Sequence, residues 1–250
     1  MERDAYLQMR ASQSTHWWFC ARRQVLASLI ARMRLPTDAK ILEAGCGPGG
    51  NIELLSRFGH VAAFDMDPAT VASCVAELSM DCLLGKLPTD HPYHGSRRFD
   101  LVVALDVLEH VEEDKESLRS LATCLGVGGR LLVTVPAYQW LFSGHDCFHH
   151  HKRRYRLGSL AALAESAGLR VERAGYFNSL LFPPIAMARL ISRVRGGEPK
   201  SDATMPGHFT NRLLTRVFGF EARLIPHMRF PFGTSIYLIA TAKSAGPSIP

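Results

Sequence analysis

No Cys-x-x-Cys pair occurs in the chain: its six cysteines stand apart at 20, 46, 74, 82, 124 and 147. That excludes a zinc ribbon and a disulfide framework and leaves reduced thiols as the expectation. No apolar run reaches the roughly 18 residues of a membrane-spanning helix before proline or charge breaks it, and Met1 to Arg10 lacks the apolar stretch of a secretion signal. A soluble, cytoplasmic protein is therefore expected. Internal repeats and low-complexity tracts are missing too. Acidic residues are scarce in one part only: residues 151–250 hold 5 Asp and Glu against 15 Lys and Arg, whereas residues 1–150 hold 18 against 14. A charge of +10 beside −4 points either to an anionic partner for the C-terminal part or to a solvated basic face. Apolar bulk is plentiful, at 47% of 250 residues, enough for one core with an appended cap.

Periodicity predicts alternating strands and helices. Lys40 to Glu43 reads as a strand, Asn51 to Phe58 as a helix, His60 to Phe64 as a strand, Pro68 to Leu78 as a helix and Cys82 to Leu84 as a short strand. Phe99 to Leu105 is continuously apolar, as in a strand buried on both faces. Lys115 to Leu125 reads as a helix, Gly129 to Val135 as a strand, Leu157 to Ala167 as a helix stopped by Gly168, and Arg170 to Phe177 and Ser235 to Ala242 as strands. Repeated βα units imply a doubly wound, mostly parallel α/β sheet. The interval 178–233, with Pro183 and Pro184, a polar linker from Gly196 to Gly207 and a helical stretch from Asn211 to Leu224, is expected to be a cap inserted before the last strand, 234–243. Residues 39–177 then form the core and 1–38 an N-terminal helical lid.

Gly45, Cys46, Gly47, Pro48, Gly49 and Gly50 lie between the first strand and its helix. Glycines there let backbone pass close to a ligand, and the helix start offers free N–H groups. The spacing also satisfies a dinucleotide-binding pattern, so two neighbours decide. Glu43 would repel a pyrophosphate but suits a ligand with an ammonium group and no phosphate, such as S-adenosylmethionine. Asp65, 20 residues after Gly45, ends the next strand where a carboxylate accepts from both ribose hydroxyls.

Glu-Ala-Gly-Cys-Gly-Pro-Gly at 43–49, Phe-Asp-Met-Asp-Pro at 64–68, Phe-Asp-Leu-Val at 99–102 and Leu-Gly-Val-Gly-Gly-Arg-Leu at 125–131 resemble the successive motifs of class I S-adenosylmethionine-dependent methyltransferases. The resemblance spans about residues 40–177. It implies a Rossmann-like sheet of seven strands, the last antiparallel, with the cofactor over the C-terminal ends of the first strands. By the same resemblance Glu43, Gly45, Cys46, Gly47 and Gly49 surround the methionine part, Asp65 holds the ribose, Met66 lies beside the adenine and Asp106 approaches the methionine end. Leu84, Gly85 and Lys86 depart from the family, many of whose members have an acidic residue there for the adenine amine. An NAD-dependent reductase is disfavoured by Glu43; a catalytically idle cofactor-binding partner is the other rival.

Asp106-Val-Leu-Glu-His-Val resembles the segment after strand four in small-molecule methyltransferases, including the quinone-pathway O-methyltransferases. The Asn/Asp-Pro-Pro-Tyr/Phe signature of many nucleic-acid amino-methyltransferases is missing, and Met80 to Arg98 lacks interleaved aromatic and basic residues. Nucleic acid is thus not expected as a partner. Residues 135–155 follow the fifth strand, where acceptor-binding loops lie, and combine aromatic with titratable groups. Methyl transfer to oxygen needs alignment and the removal of one proton. His145 and His110 are the candidate bases, with Asp146, Arg154 and Tyr155 as further catalytic candidates.

His149 and His150 read as a solvated, charge-paired loop. No metal is expected, because His145, Asp146, His149 and His151 match no familiar ligand spacing. Two adjacent tryptophans, Trp17 and Trp18, cannot both face a core from one helix, so at least one is free to close a pocket. With 143–155, 177–183 and 229–235 this segment resembles a bacterial methyltransferase subgroup found with envelope-sugar and polyprenyl-linked glycosylation enzymes. A small or lipid-linked acceptor, methylated at oxygen, is the expectation. Leu180 to Ala188, followed by Arg189, Arg193 and Arg195, reads either as a peripheral contact with the inner membrane face or, preferably, as cover for one face of the sheet.

Overall fold

The computed structural model describes residues 12–194 and 205–243, without the side chains of His145 and of residues 192–194. Seven strands are present: β1 (Lys40–Ala44), β2 (His60–Asp65), β3 (Asp81–Leu84), β4 (Phe99–Leu105), β5 (Leu125–Pro136), β6 (Leu169–Phe177) and β7 (Ser235–Ala242). Eight helices are described among them: α1 (Trp17–Ala31), α2 (Ile52–Leu55), α3 (Pro68–Leu78), α4 (Asp114–Cys124), α5 (Gly144–Phe148), α6 (Leu157–Ser166), α7 (Phe182–Val194) and α8 (His208–Leu224).

The strands form one sheet in the order β3-β2-β1-β4-β5-β7-β6. β1 to β5 are parallel, and β7 runs antiparallel between β5 and β6. Strand order reverses between β1 and β4, so the loops leaving their C-terminal ends diverge and open a crevice.

Alternation sets the two layers. Val102 and Ala104 of β4 face α4 and α6 through Leu118, Leu121, Leu160 and Ala164. Leu101 and Val103 face the opposite side, where Val25, Leu26, Leu29 and Ile30 of α1 and Phe218 of α8 close the second core.

Three expectations change. The helix expected at Asn51 to Phe58 is only α2, four residues long. A Cβ on Gly59 would come 2.1 Å from the Ala39 carbonyl, so the chain must already have turned into β2 there. β5 begins at Leu125, four residues before the expected Gly129, and pairs with Phe99 through an irregular register. Residues 12–38 are more than a lid: α1 buries Ala21, Val25, Leu26, Leu29 and Ile30 as a core layer, and only its first turns reach the crevice, while residues 1–11 of the expected lid lie outside the described residues.

The 178–233 interval also divides. α8 packs on α1, with the Phe218 ring edge-on to Trp17 at 6.2 Å, and buries Phe218, Gly219 and Glu221. α7 starts at the two prolines, which suit a first helical turn. Leu181 and Ala186 are buried, but Met187, Leu190 and Ile191 are exposed, so this apolar run covers the sheet only in part. Most of the linker 196–207, and Arg195, lie outside the described residues. No helix of the described residues is long and apolar enough to cross a membrane.

Candidate active site

At the C-terminal ends of β1, β2, β4 and β5 lies a cavity of about 1630 Å³. A pocket for one small ligand measures roughly 300–1,000 Å³, so two ligands fit side by side. Its walls come from the first turns of α1, the glycine loop, the loop after β4, the segment 141–154 and α7.

One end is built around β1 and β2. Gly45, Gly47 and Gly49 take positive φ values of 70°, 52° and 78°, which non-glycine residues seldom adopt. Gly45, Cys46 and Gly47 line the cavity; Gly49 instead turns toward α3, where a Cβ would come 2.5 Å from Leu78. Gly49 therefore shapes the loop rather than facing a ligand. Asp65 is buried at the cavity wall and accepts from the Gly47 N–H at 2.8 Å and the Asp67 N–H at 3.0 Å, which ties the loop to β2. Met66 is exposed beside it and also lines the cavity.

Glu43 is buried, and desolvation raises its carboxyl to about 7 although Asn51 donates to Oε1 at 2.8 Å. Its Oε2 is buried without a hydrogen-bond partner. Asn51 accepts from Arg22, which lies beneath Trp18 and reaches Asp106 at 2.6 Å and Thr134 at 3.3 Å. Glu43, Asn51, Arg22 and Asp106 thus form one chain of alternating acceptor and donor groups. A buried cation beside an acid with an unmatched oxygen is complementary to an amino-acid zwitterion. Sequence reasoning did not single out Arg22; its signal is Trp18 and Arg22 one turn apart on α1.

The other end is built around Asp146, which is 0% exposed. Arg154 grips both its oxygens at 2.8 and 2.9 Å, His151 Nδ1 shares 2.8 Å with Oδ1, and the Ser143 N–H donates to Oδ2 at 2.8 Å. Burial works to raise its carboxyl, but His151 and Arg154 outweigh burial and hold it well below the usual carboxylate range. Asp146 itself does not line the cavity; His151 and Arg154 do. Its expected catalytic role becomes one of positioning.

His110 and His149 also line the cavity. His110 meets His151 edge-on at 4.7 Å, and burial, reinforced by His151, lowers it to about 3. His149 is half-buried at the cavity wall rather than solvated as expected, and burial lowers it to about 4. His150 is exposed. The side chain of His145 lies outside the described residues; its backbone is in α5.

Tyr155 is a second correction. Its ring is in the core, and its hydroxyl donates to Asp114 at 3.0 Å, away from the cavity. Burial, with Asp114 next to it, pushes the phenol well above its ordinary range, unsuited to proton transfer. Glu109, on the turn after β4, is buried with both carboxylate oxygens unpartnered, and burial holds it well above the usual range. Among the described residues, Glu109, His110 and His151 bring possible ligand atoms within 4.8 Å of one another. No spacing in the sequence singles out this set, because Glu109 and His151 meet only through the fold.

Residues 19–174 match the methyltransferase domain family model. The chain belongs to that family. Across 211 residues this methyltransferase is 27% identical to a ubiquinone biosynthesis O-methyltransferase of Xanthomonas axonopodis pv. citri, covering 73% of this chain and 87% of the relative. A chain from the Haloferax volcanii complex of the Trm112 methyltransferase activator with a methyltransferase superposes with a TM-score of 0.61 at 17% identity, over 97% of this chain and 99% of that one. Phosphoethanolamine N-methyltransferase 2 of Haemonchus contortus, solved with S-adenosylmethionine, gives 0.55 at 16% identity, over 88% and 52%. This is a class I S-adenosylmethionine-dependent methyltransferase, and the zwitterion-complementary chain from Glu43 to Asp106 fits that cofactor.

Proposed function

We propose that this methyltransferase methylates a hydroxyl oxygen of a small or lipid-linked acceptor seated among His110, His149 and His151, and that His151 takes the proton. The 2.8 Å hydrogen bond between His151 Nδ1 and Asp146 carries the reading. An ionised Asp146 accepts from Nδ1–H and fixes the tautomer whose Nε2 offers a lone pair, the logic of an acid-oriented histidine base. Arg154 and Ser143 hold Asp146 in turn, so the imidazole direction is set before an acceptor arrives.

S-adenosylmethionine supplies a methyl group already activated by positive sulfur. Asp65 would hold the ribose, Glu43 and Asn51 the ammonium group and Arg22 the carboxylate, with Gly45, Cys46 and Gly47 along the backbone and Met66 at the adenine. Phe142, Ile185 and Ile191 line the acceptor end and suit an apolar tail, as a polyprenyl-linked acceptor of envelope glycosylation would carry. The Xanthomonas relative's O-methyltransferase name supports oxygen over nitrogen.

The test is transfer from labelled S-adenosylmethionine into phenols, lipid extracts and sugar-nucleotide extracts, with the methylated atom identified. An O-methyl product lost in His151→Gln, with cofactor binding intact, is expected. An N-methyl product, or full turnover in that variant, overturns the reading; no turnover with tight cofactor binding would favour the idle partner.

A second reading rests on Glu109, whose two buried oxygens have no partner. With His110 and His151 it would hold a divalent cation that binds the acceptor oxygen directly. Stoichiometric metal in the purified protein and loss of turnover with chelator would favour it.

A further inference from the structure

Ten of the sixteen large apolar side chains exposed among the described residues fall between Leu180 and Phe232. On α8, Phe209, Leu213 and Phe220 are spaced i, i+4 and i+11 and share one stripe, with Phe209 80% exposed. That stripe points away from Phe218, which anchors α8 in the core. Arg212, Arg216 and Arg223 flank it and are exposed. On α7, the exposed positions with described side chains are all apolar: Pro183, Pro184, Met187, Ala188, Leu190 and Ile191. Glu221 is the one acidic residue described between 178 and 233, and it is buried.

We infer that α7 and α8 together form a docking surface for an anionic lipid bilayer. A helix with aromatic and aliphatic side chains on its outer face and arginines beside them lies in a membrane interface rather than in water. Charge selects the occupant: a second copy of this chain would bring basic face against basic face, whereas anionic headgroups match it. Ala188 and Ile191 belong both to the exposed face and to the cavity wall. Docking would therefore set the acceptor end of the cavity against the lipid surface.

The inference goes beyond methyl transfer, and its test uses neither cofactor nor acceptor, so its failure leaves the reading of the site untouched. Purified full-length protein is floated at low salt with vesicles of phosphatidylcholine, alone or mixed with phosphatidylglycerol. Flotation is expected with the mixture and not with phosphatidylcholine alone. The paired substitution Arg212→Gln and Arg216→Gln should weaken partitioning by about fivefold per arginine, and the pair Phe209→Ser and Leu213→Ser should abolish it. Val127→Ser, an exposed apolar residue on β5, should change nothing, and unaltered melting shows that each variant folds. The inference is overturned by absence of flotation, by equal flotation on both vesicles, or by flotation that survives either pair. Concentration-dependent dimerisation lost in the Phe209 and Leu213 pair, without vesicle binding, would assign the face to a second copy instead.

Discussion

At the cofactor end, the groups that face the cavity stand on backbone fixed by local rules. Positive φ at Gly45 and Gly47 and the end of β2 at Asp65 place them within a few residues of a strand terminus. At the acceptor end the fixing is done by side chains. Asp146 gathers Ser143, His151 and Arg154 from a loop with little regular structure, in which α5 spans five residues. A backbone-built site tolerates loss of one side chain with a local loss of affinity. A site hung on one buried carboxylate fails as a unit, since a buried charge left without its partner is costly.

The largest expected effect lies at the acceptor end. His151→Ala should lower kcat by about 10²- to 10⁴-fold, the range for a general base, and leave the cofactor Kd within a factor of about two. Single-turnover kinetics with calorimetry separates the two. Equal damage to both would erase the distinction between the ends.

Asp146→Ala should cost about 3–5 kcal/mol of stability, because Arg154 keeps its burial and loses its carboxylate. Urea unfolding measures it. Asp146→Asn keeps one acceptor oxygen, loses the charge and turns an NH2 toward the donors on the other side, so it should recover only a small part of the stability and none of kcat. A loss under about 1 kcal/mol, the size of an exposed ion pair, would mean the loop is held by something other than this cluster.

The contrast also explains which parts were legible in the sequence. The strand positions and the glycine loop follow from apolar patterning and from glycine's access to positive φ, both properties of short windows. Gly45, Cys46, Gly47 and Asp65, which the structure brings to the cavity wall, could be singled out in that way. His151 and Arg22 were not readable in that way. Arg22 meets Asp106 across 84 positions, and His151 meets Glu109 only after β5 has brought the two loops together. Tyr155 misled for the same reason: its neighbours in the chain are cavity residues, but its side chain alternates to the opposite side, into the core.

The cofactor end carries the next effect, through pH. Glu43 is raised from 4.5 to about 7, so between those values the folded state binds a proton that the unfolded state has released. Stability of the protein without cofactor should fall as pH rises through this window, by roughly 3 kcal/mol in all. Glu43→Gln should flatten the fall, as thermal unfolding between pH 5 and 8 would show. Cofactor binding near pH 6 should release a proton, seen in calorimetry as a buffer-dependent heat, because an ammonium group favours the ionised form. A stability that does not change with pH across this window would mean that burial of Glu43 costs its charged form nothing.

Asp65→Ala should weaken S-adenosylmethionine binding by about 1–3 kcal/mol, the value of hydrogen bonds to a charged acceptor. Part of that loss is indirect, since Gly47 N–H also loses its partner. Asp65→Asn separates the contributions: an amide oxygen still accepts from Gly47, so the affinity lost in Asn reports the ligand and the further loss in Ala reports the loop. Undiminished affinity in both variants would move the ribose elsewhere.

The smallest effect tests the correction at Tyr155. Removing its hydroxyl in Tyr155→Phe deletes the 3.0 Å bond to Asp114 but leaves Asp114 paired with Arg153 at 3.1 Å, so no buried charge is abandoned. The expected cost is about 1.5 kcal/mol, the low end for a bond to a charged acceptor, because Asp114 keeps Arg153. Turnover should stay at the wild-type value, because the hydroxyl is on the core side of β5 and does not line the cavity. His151 and Tyr155 are four positions apart, yet one substitution should remove catalysis and the other only a little stability. A fall in kcat of tenfold or more in Tyr155→Phe, with melting unchanged, would put the phenol back among the catalytic groups and require the loop to turn its other face to the acceptor.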